Sequence, residues 1–302
     1  VGALQAKSQA VATRLQNRQR LDENLSTLTN NLTLNKEFVT RICNGPVGYE
    51  YIQAINELSS KIQFIHQAKT KQAPAIKEVE VPIDRLKQIA SANITKYSVE
   101  LIDTLKENFG AEQQAFQAQM LQIRPLFLFL KTFSREAFNS VFDYYSKIMS
   151  RIYIANFSML AKHLESQMNQ SVYKTETIVP VIQKSLFGAR KSYEKTLSFF
   201  SMGERQKVIA ELNQPPQQYG PNTPVEFLLR SLFQIFNDVV TTEYAFIADL
   251  TGEVRFVPSV FKPTIGFIEF FMDEQVKKIQ DPITIGFLLL ILKVSIEQMN
   301  ER

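Results

Sequence analysis

Residues 138–159 carry apolar side chains at strict four-three spacing, which is the pattern of one face of an α-helix. The members of this stripe are Phe138, Val141, Tyr145, Ile148, Ile152, Ala155 and Met159. A second helical stripe contains Ile52, Ile55, Leu58, Ile62 and Ile65. No alternating strand pattern of convincing length occurs, and only residues 78–81 would suit a short extended piece. The sequence therefore predicts an all-α fold.

The first 32 residues contain a heptad repeat of apolar residues that is interrupted by basic ones. One seam position holds Leu4, Val11, Leu25 and Leu32 with Arg18 between them, and the other holds Leu21 and Leu28 after Lys7 and Arg14. The remaining positions are rich in Gln and Asn, so a lone helix here has little to bury itself against. Partner helices are expected, and packing inside its own domain is the alternative. The candidate subunit-interface residues are Leu4, Val11, Leu15, Leu21, Leu25, Leu28 and Leu32.

Glycines and prolines predict where the helices begin and end. The stretch NGPVG at residues 44–48 ends the first helix and makes a helical hairpin with the next. Pro82 is placed in the first turn of a helix, and Pro125 predicts a kink or a break. The predicted starts of the last three helices are Thr223 as N-cap with Pro224 in the first turn and Glu226 as capping-box partner, then Pro263, then Asp281-Pro282.

These patterns predict four regions along the 302 residues. Residues 1–73 form an N-terminal coiled coil or helical hairpin that serves assembly, and residues 74–170 form a first helical bundle. Residues 171–222, which include the run NQPPQQYGPNTP, form an irregular connecting segment. Residues 223–302 form a second bundle, which is expected to be incomplete at its C-terminus.

This sequence has few of the histidines and cysteines that commonly act as catalytic residues or metal ligands. It has two histidines, His66 and His163, and one cysteine, Cys43. A zinc site of the usual Cys/His type could not be built from these without carboxylates. No GxSxG, HExxH, Cys-x-x-Cys or GxxxxGK[ST] motif occurs. Both histidines are expected to be solvated helix residues, and neither an enzyme, a metal nor a cofactor is predicted.

Charge and hydropathy also limit the partners and the compartment. The formal net charge of +4 is spread along helices of mixed sign, which does not favour the alternative of a basic nucleic-acid-binding protein. The most apolar run, IGFLLLIL at residues 285–292, is much shorter than the about 20 residues that span a membrane. A single cysteine and an N-terminus without an apolar signal core favour a reducing, cytosolic compartment, with any membrane association peripheral.

Several long segments resemble one family. They read RLQNRQRLDENLSTLTNNL, PIDRLKQIASANITKY, MLQIRPLFLFLKTFSREAF, YYSKIMSRIYIANFSMLAKHLE, SYEKTLSFFSMGERQKVI and PVEFLLRSLFQIFNDVVTTEYAFIADLTG. In their residues and in their order along the chain, these segments resemble the vacuolar protein sorting-associated protein 52 family. Members of this family are the subunit shared by the GARP and EARP tethering complexes. The resemblance covers nearly the whole chain, although residues 171–185 match poorly.

This resemblance implies a non-catalytic scaffold subunit with a CATCHR-type rod of helical bundles. N-terminal helices would assemble with sister GARP/EARP subunits, and the complex would engage SNAREs and small GTPases at the trans-Golgi network and endosomes. It would act in retrograde transport from endosomes and in endosomal recycling, as a peripheral membrane assembly. A subunit of another helical tether, such as exocyst, is the alternative within the same class.

Overall fold

A computed structural model describes residues 2–68, 74–105, 113–168, 223–279 and 282–301, together with Lys207 and Pro221. These residues form ten helices, with one isolated β-bridge between Met168 and Thr223. The helices are α1 (Gly2–Leu32), α2 (Lys36–Asn44), α3 (Tyr49–Ala68), α4 (Pro74–Thr104), α5 (Gln113–Gln122), α6 (Arg124–Phe133), α7 (Arg135–Gln167), α8 (Val225–Thr251), α9 (Val257–Lys278) and α10 (Pro282–Glu301). The all-α prediction is confirmed.

The chain divides into two compact units, Val1–Tyr144 and Tyr145–Arg302. The first unit holds α1–α6 and the start of α7, and the second holds the rest of α7 with α8–α10. The four regions predicted from the sequence stay a prediction. The connecting segment at 171–222 lies outside the described residues except for Lys207 and Pro221.

The core of the first unit is built from the stripe of α3 and from aromatic rings on α6 and α7. Ile55, Leu58, Ile62 and Ile65 are buried, as the spacing predicts. The ring centroid of Phe142 lies 5.3 Å from that of Phe127 and 4.8 Å from that of Phe138. Such tilted aromatic contacts stabilise a core beyond the area they bury. The Phe-rich segment at 125–133 therefore serves packing.

Turn residues end the early helices where the sequence predicts, with one addition. Helix α2 ends at Asn44, and the Gly45 N–H donates to the Arg41 carbonyl oxygen at 3.0 Å. A Cβ atom at position 45 would lie 2.3 Å from that oxygen, so the close approach requires glycine. The break between Leu32 and Lys36 is an addition that the heptad pattern did not reveal.

Two prolines lie inside helices and not at their starts. Helix α4 begins at Pro74 and contains Pro82, so the predicted start at Pro82 and the extended piece at 78–81 are both wrong. Helix α9 begins at Val257 and contains Pro263, six residues after its start. Both prolines are exposed, so water can bond the carbonyl oxygen that each leaves without an N–H donor. The break at Pro125 is confirmed, because α5 ends at Gln122 and α6 begins at Arg124.

The predicted stripe of α7 is buried over the first half of the helix, and other residues are buried in the second half. The stripe residues that are buried are Phe138, Val141, Tyr145 and Ile148. Ala155 and Met159 are exposed, Met159 to 64%, while Tyr153 and Phe157 are buried instead. A strict seven-residue repeat drifts by about 20° per heptad on a straight helix. That drift amounts to about 60° over the three heptads of the stripe, so the stripe turns away from the buried face, and the predicted burial of Ala155 and Met159 is wrong.

Helix α8 is the centre of the second unit. Every residue from Val225 to Gln234 is buried, and α9 and α10 both pack on this helix. Its N-cap is Pro224 and not the predicted Thr223, whose backbone N–H instead donates to the Gln167 carbonyl oxygen at 3.1 Å. Its C-terminal end is Gly252, which has a φ of 66° in the left-handed region that favours glycine. Helix α10 begins at Pro282, as predicted.

Candidate functional site

The most exposed element among the described residues is α1. Every residue from Ser8 to Asn30 is exposed, although this stretch runs for more than six helical turns. An isolated helix is only marginally stable in water, because its stability in proteins comes mainly from packing of an apolar face. The exposed length of α1 is therefore a surface that the described part of the chain does not cover.

The predicted interface residues lie on this exposed helix. The exposed fractions are 64% for Val11, 57% for Leu15, 59% for Leu21, 53% for Leu25 and 37% for Leu28. Leu32 is half-buried, and the side chain of Leu4 lies outside the described part of the helix. Apolar side chains that recur along one helix face and remain in water mark an interaction surface. We call this set of exposed side chains the seam of α1.

A buried lysine holds the end of α1 against α3. Lys61 is only 4% exposed, and its ammonium nitrogen donates to the carbonyl oxygens of Asn30 at 2.6 Å and Thr33 at 3.1 Å. The last carbonyl groups of a helix have no partner within the helix and carry partial negative charge, so a cation is favourable there. Glu57 lies 3.3 Å from the same nitrogen, and the Phe38 ring centroid lies 5.7 Å away.

Sequence reasoning missed this contact, although a signal for it was present. Lys61 lies three residues after Leu58 and four before Ile65, which places a lysine inside the apolar stripe of α3. A charged residue is buried only when it is paired or hydrogen-bonded. Its presence in the stripe could have predicted a polar partner. The identity of that partner, the end of α1, depends on the tertiary structure.

A second polar contact fixes the end of α2. The Asn93 side-chain nitrogen on α4 donates to the carbonyl oxygens of Ile42 at 3.0 Å and Cys43 at 3.4 Å. These are again last-turn carbonyl groups that lack a partner within the helix. Both of the short turns that follow α1 and α2 are thus held by side chains from neighbouring helices. Cys43 is a free, half-buried thiol.

The second unit contains a buried carboxyl group between two phenols. Glu243 on α8 is 1% exposed and accepts hydrogen bonds from the Tyr145 hydroxyl and, at 2.8 Å, from the Tyr153 hydroxyl. Burial raises the pKa of Glu243, and the two phenol hydrogen bonds partly oppose that rise. Burial and the neighbouring carboxylate hold the pKa of Tyr145 well above its ordinary value. This cluster joins α7 to α8.

A solvent-facing contact joins α7 to α9 in the same unit. The Glu165 carboxylate accepts from the Lys278 ammonium group at 3.0 Å and from the Gln275 amide at 3.3 Å. The Lys278 hydrogen bond, followed by that of Gln275, lowers the pKa of Glu165. Because both charged side chains are about half exposed, the pair contributes little to stability.

The groups that could have supported chemistry are not gathered into a site. His66 and His163 are both exposed on helices, as predicted, and the His163 ring nitrogen Nε2 lies 3.1 Å from the Gln167 side-chain nitrogen. Among the described residues, no three His, Cys, Asp or Glu side chains are placed to hold a metal ion. No described helix is long and apolar enough to cross a membrane.

An exposed N-terminal helix with a repeated apolar seam, followed by helical units whose buried polar groups join helices, defines an all-helical protein with one helix face left in water. The family described as "Vps52/Sac2 family, coiled-coil" matches residues 1–130, and the family described as "Vps52, C-terminal" matches residues 147–301. Together these two matches cover most of both units. The chain belongs to the Vps52 family.

Curated relatives agree with this assignment. The chain is 26% identical to vacuolar protein sorting-associated protein 52 A of Arabidopsis thaliana over 298 residues, which are 95% of this chain and 42% of the relative. It is 26% identical to the vacuolar protein sorting-associated protein 52 homologues of Rattus norvegicus and Homo sapiens over 260 residues, which are 82% of this chain and 36% of each relative. The chain thus spans about two fifths of the length of these relatives. No solved structure matches it.

Proposed function

We propose that this chain is part of a non-catalytic scaffold subunit of a GARP/EARP-type vesicle-tethering complex. The observation that carries the proposal is the complete exposure of α1 between Ser8 and Asn30, seam included. Membership of the Vps52 family and the names of the relatives, which refer to vacuolar protein sorting, support a role in vesicle transport. The transport steps are retrograde traffic from endosomes to the trans-Golgi network and endosomal recycling.

In this proposal the seam of α1 is buried against helices of sister subunits. Removing apolar surface from water contributes about 25 cal/mol per Å², which would stabilise a helix that other described residues leave exposed from Ser8 to Asn30. Arg18 lies at a seam position and is exposed. A charged residue in a seam penalises partners that do not offer it a polar group, so Arg18 would select the correct sister helix.

Further partners follow from the resemblance to tethering subunits. SNAREs and small GTPases of the Golgi and endosomes would bind the assembled complex, and membrane association would be peripheral and through these partners. The location would be the cytoplasmic face of the trans-Golgi network and endosomes. The helices that follow α1 would serve as the stiff part that separates the two membranes, supported within the second unit by buried polar contacts such as that of Glu243.

The test is a charge substitution in the seam. Leu21, Leu25 and Leu28 are replaced by Asp in the full-length protein, and sister subunits that co-purify are identified by mass spectrometry. The expected result is loss of the sister subunits with an unchanged helical content of the rest of the chain. Unchanged co-purification would remove the assembly role from α1. Recovery of exocyst subunits in place of GARP or EARP subunits would move the protein to the alternative tether.

A matched control is available on the same helix. Gln9, Gln16 and Thr27 are exposed and lie on the face opposite the seam. Replacing these three by Asp adds the same charge and costs similar helix propensity, but leaves the seam intact. Sister subunits should co-purify with this control as they do with the unchanged protein. Loss with both triple variants would mean that charge or helix unfolding, and not the seam, explains the result.

A further inference from the structure

Helix α10 has a second apolar stripe in addition to the one that it buries. Thr284, Leu288, Ile291 and Ser295 face the unit and are buried. Ile285, Leu289, Leu292, Ile296 and Met299 follow one another at four-three spacing, about a quarter turn away. Ile285, Leu289 and Ile296 are 37%, 63% and 60% exposed. This second stripe extends for about 21 Å along the helix.

A groove of about 390 Å³ lies where this stripe meets α9. Ile265 of α9 and Ile296 of α10 line its sides, and Phe236 of α8 lies at its floor. The middle of α9 faces the second half of α10 across the groove. Ile265, Glu269, Met272 and Val276 continue along α9 at four-three spacing, so both walls carry a stripe of helical period.

Two polar side chains of the groove, Asn237 and Glu269, differ in whether they have a hydrogen-bond partner. The buried Asn237 amide donates to the Ser295 carbonyl oxygen at 3.0 Å, so it is used to hold α8 against α10. Glu269 is the single charged side chain in the described lining, and it is exposed. Among the described residues it makes neither an ion pair nor a hydrogen bond. An unpaired carboxylate beside apolar walls complements a cationic side chain.

We infer that this groove binds an amphipathic helix of a partner protein, with apolar heptad residues between α9 and α10 and a Lys or Arg beside Glu269. Length favours a helix over a compact ligand, because the apolar track of α10 runs for four turns while the groove itself covers only its second half. Helix-in-groove binding uses anchors at such spacing, and the charged residue fixes the register. The groove involves no residue of α1, so this inference is independent of the proposed assembly through the seam.

Site-specific photo-crosslinking in the full-length protein tests the inference. A benzophenone amino acid replaces Ile296, and the crosslinked peptides are identified after irradiation of the assembled complex. The expected product joins position 296 to another polypeptide, within a segment that has apolar residues at helical spacing and a Lys or Arg. Crosslinks confined to this chain, to a second copy of it, to acyl lipid or to nothing would overturn the inference.

Two matched variants make the result specific. Phe270 is 66% exposed on α9 and lies well away from the groove-facing stripe, so the benzophenone at position 270 should not reach the same segment. The substitution Glu269→Lys is expected to lower the yield at position 296 about fivefold, and reversing the charge of the crosslinked Lys or Arg should restore it. Equal crosslinking from position 270, or a yield indifferent to both charge reversals, would contradict the proposed binding mode.

Discussion

The ammonium nitrogen of Lys61 lies 2.6 Å from the backbone carbonyl oxygen of Asn30, so a buried charge on α3 holds the last turn of α1. The rest of α1 up to Ser8 is exposed. The direction of the exposed part of α1 relative to α3 therefore depends on this contact and on the short turn that follows it. Such a fixed base would favour the proposed assembly, because a seam on a freely moving helix would lose more conformational entropy on binding.

We predict that Lys61→Met destabilises the attachment of α1. Methionine fills a similar volume but leaves the Asn30 and Thr33 carbonyl oxygens without their buried donor, which costs about 1–3 kcal/mol. Hydrogen exchange of the backbone amides in residues 28–33 should become faster, and the urea midpoint of the first unit should fall. Lys96→Met is the control, since Lys96 is exposed and its change should stay within about 0.5 kcal/mol. Exchange that is equally slow in both variants would contradict the role of Lys61.

A second prediction tests the face of α7 that is buried. Phe157→Ala removes a ring that lies 5.6 Å from the Phe236 ring, and it should lower the free energy of unfolding by about 3–5 kcal/mol. Met159→Ala, two residues away and exposed, should change it by less than about 0.5 kcal/mol. Urea unfolding followed by circular dichroism measures both. A larger loss of stability for Met159→Ala than for Phe157→Ala would mean that the stripe predicted from the sequence is the buried one.

Periodicity predicted the helices of this chain well because apolar spacing is a local property. It placed the breaks at Gly45 and Pro125 and the buried face of α3 correctly. Periodicity failed at positions where the surroundings of a residue, and not its spacing, decide the local structure or the burial. Pro82 is tolerated inside α4 because its face is open to water, and the buried face of α7 changes only after Ile148.

In the candidate site, too, the features set by local spacing were predicted, and the contacts set by the tertiary structure were not. The seam of α1 was read from heptad spacing alone, and its exposure agrees with an intermolecular role, which stays a prediction. Lys61 and Glu243 were not singled out, because a single charged residue in an apolar stripe indicates a partner without naming it. The partners of Glu243 are 98 and 90 residues away in the sequence, and no periodicity connects them.

The third prediction concerns the pH dependence of the second unit. Burial raises the folded-state pKa of Glu243 above its unfolded value of about 4.3. Between these two pKa values the folded state binds more protons, so the free energy of unfolding should fall as pH rises through that window. Glu243→Gln keeps an acceptor for the phenols and removes the titration. The urea midpoint, measured from about pH 4 upward, should then vary less with pH.

The control for this profile is Glu269→Gln. The Glu269 carboxylate is exposed to water in the folded chain, so the profile of this variant should follow that of the unchanged protein. Since the chain has no tryptophan, circular dichroism is the suitable signal for unfolding. A slope that survives in Glu243→Gln would mean that another group causes the pH dependence.

The fourth prediction separates the two roles of Tyr153, as a ring in the core and as a donor to Glu243. Tyr153→Phe keeps the ring, whose centroid lies 5.0 Å from that of Phe261, and removes the hydroxyl group. Where Glu243 is ionised in the folded state, the lost bond is to a carboxylate, and its loss should cost about 1.5–3 kcal/mol. Below the unfolded pKa the carboxyl group is protonated, and the cost should fall to about 1 kcal/mol.

The same substitution should also move the pH window of Glu243. The Tyr153 hydrogen bond lowers the pKa of Glu243, so its removal raises that pKa further and extends the decline in stability to higher pH. Tyr244→Phe is the control, because Tyr244 is adjacent in sequence to Glu243 but 48% exposed, and its variant should keep the original window. If Tyr153→Phe costs the same at acidic and neutral pH, the hydroxyl group acts through packing and not through the charge of Glu243.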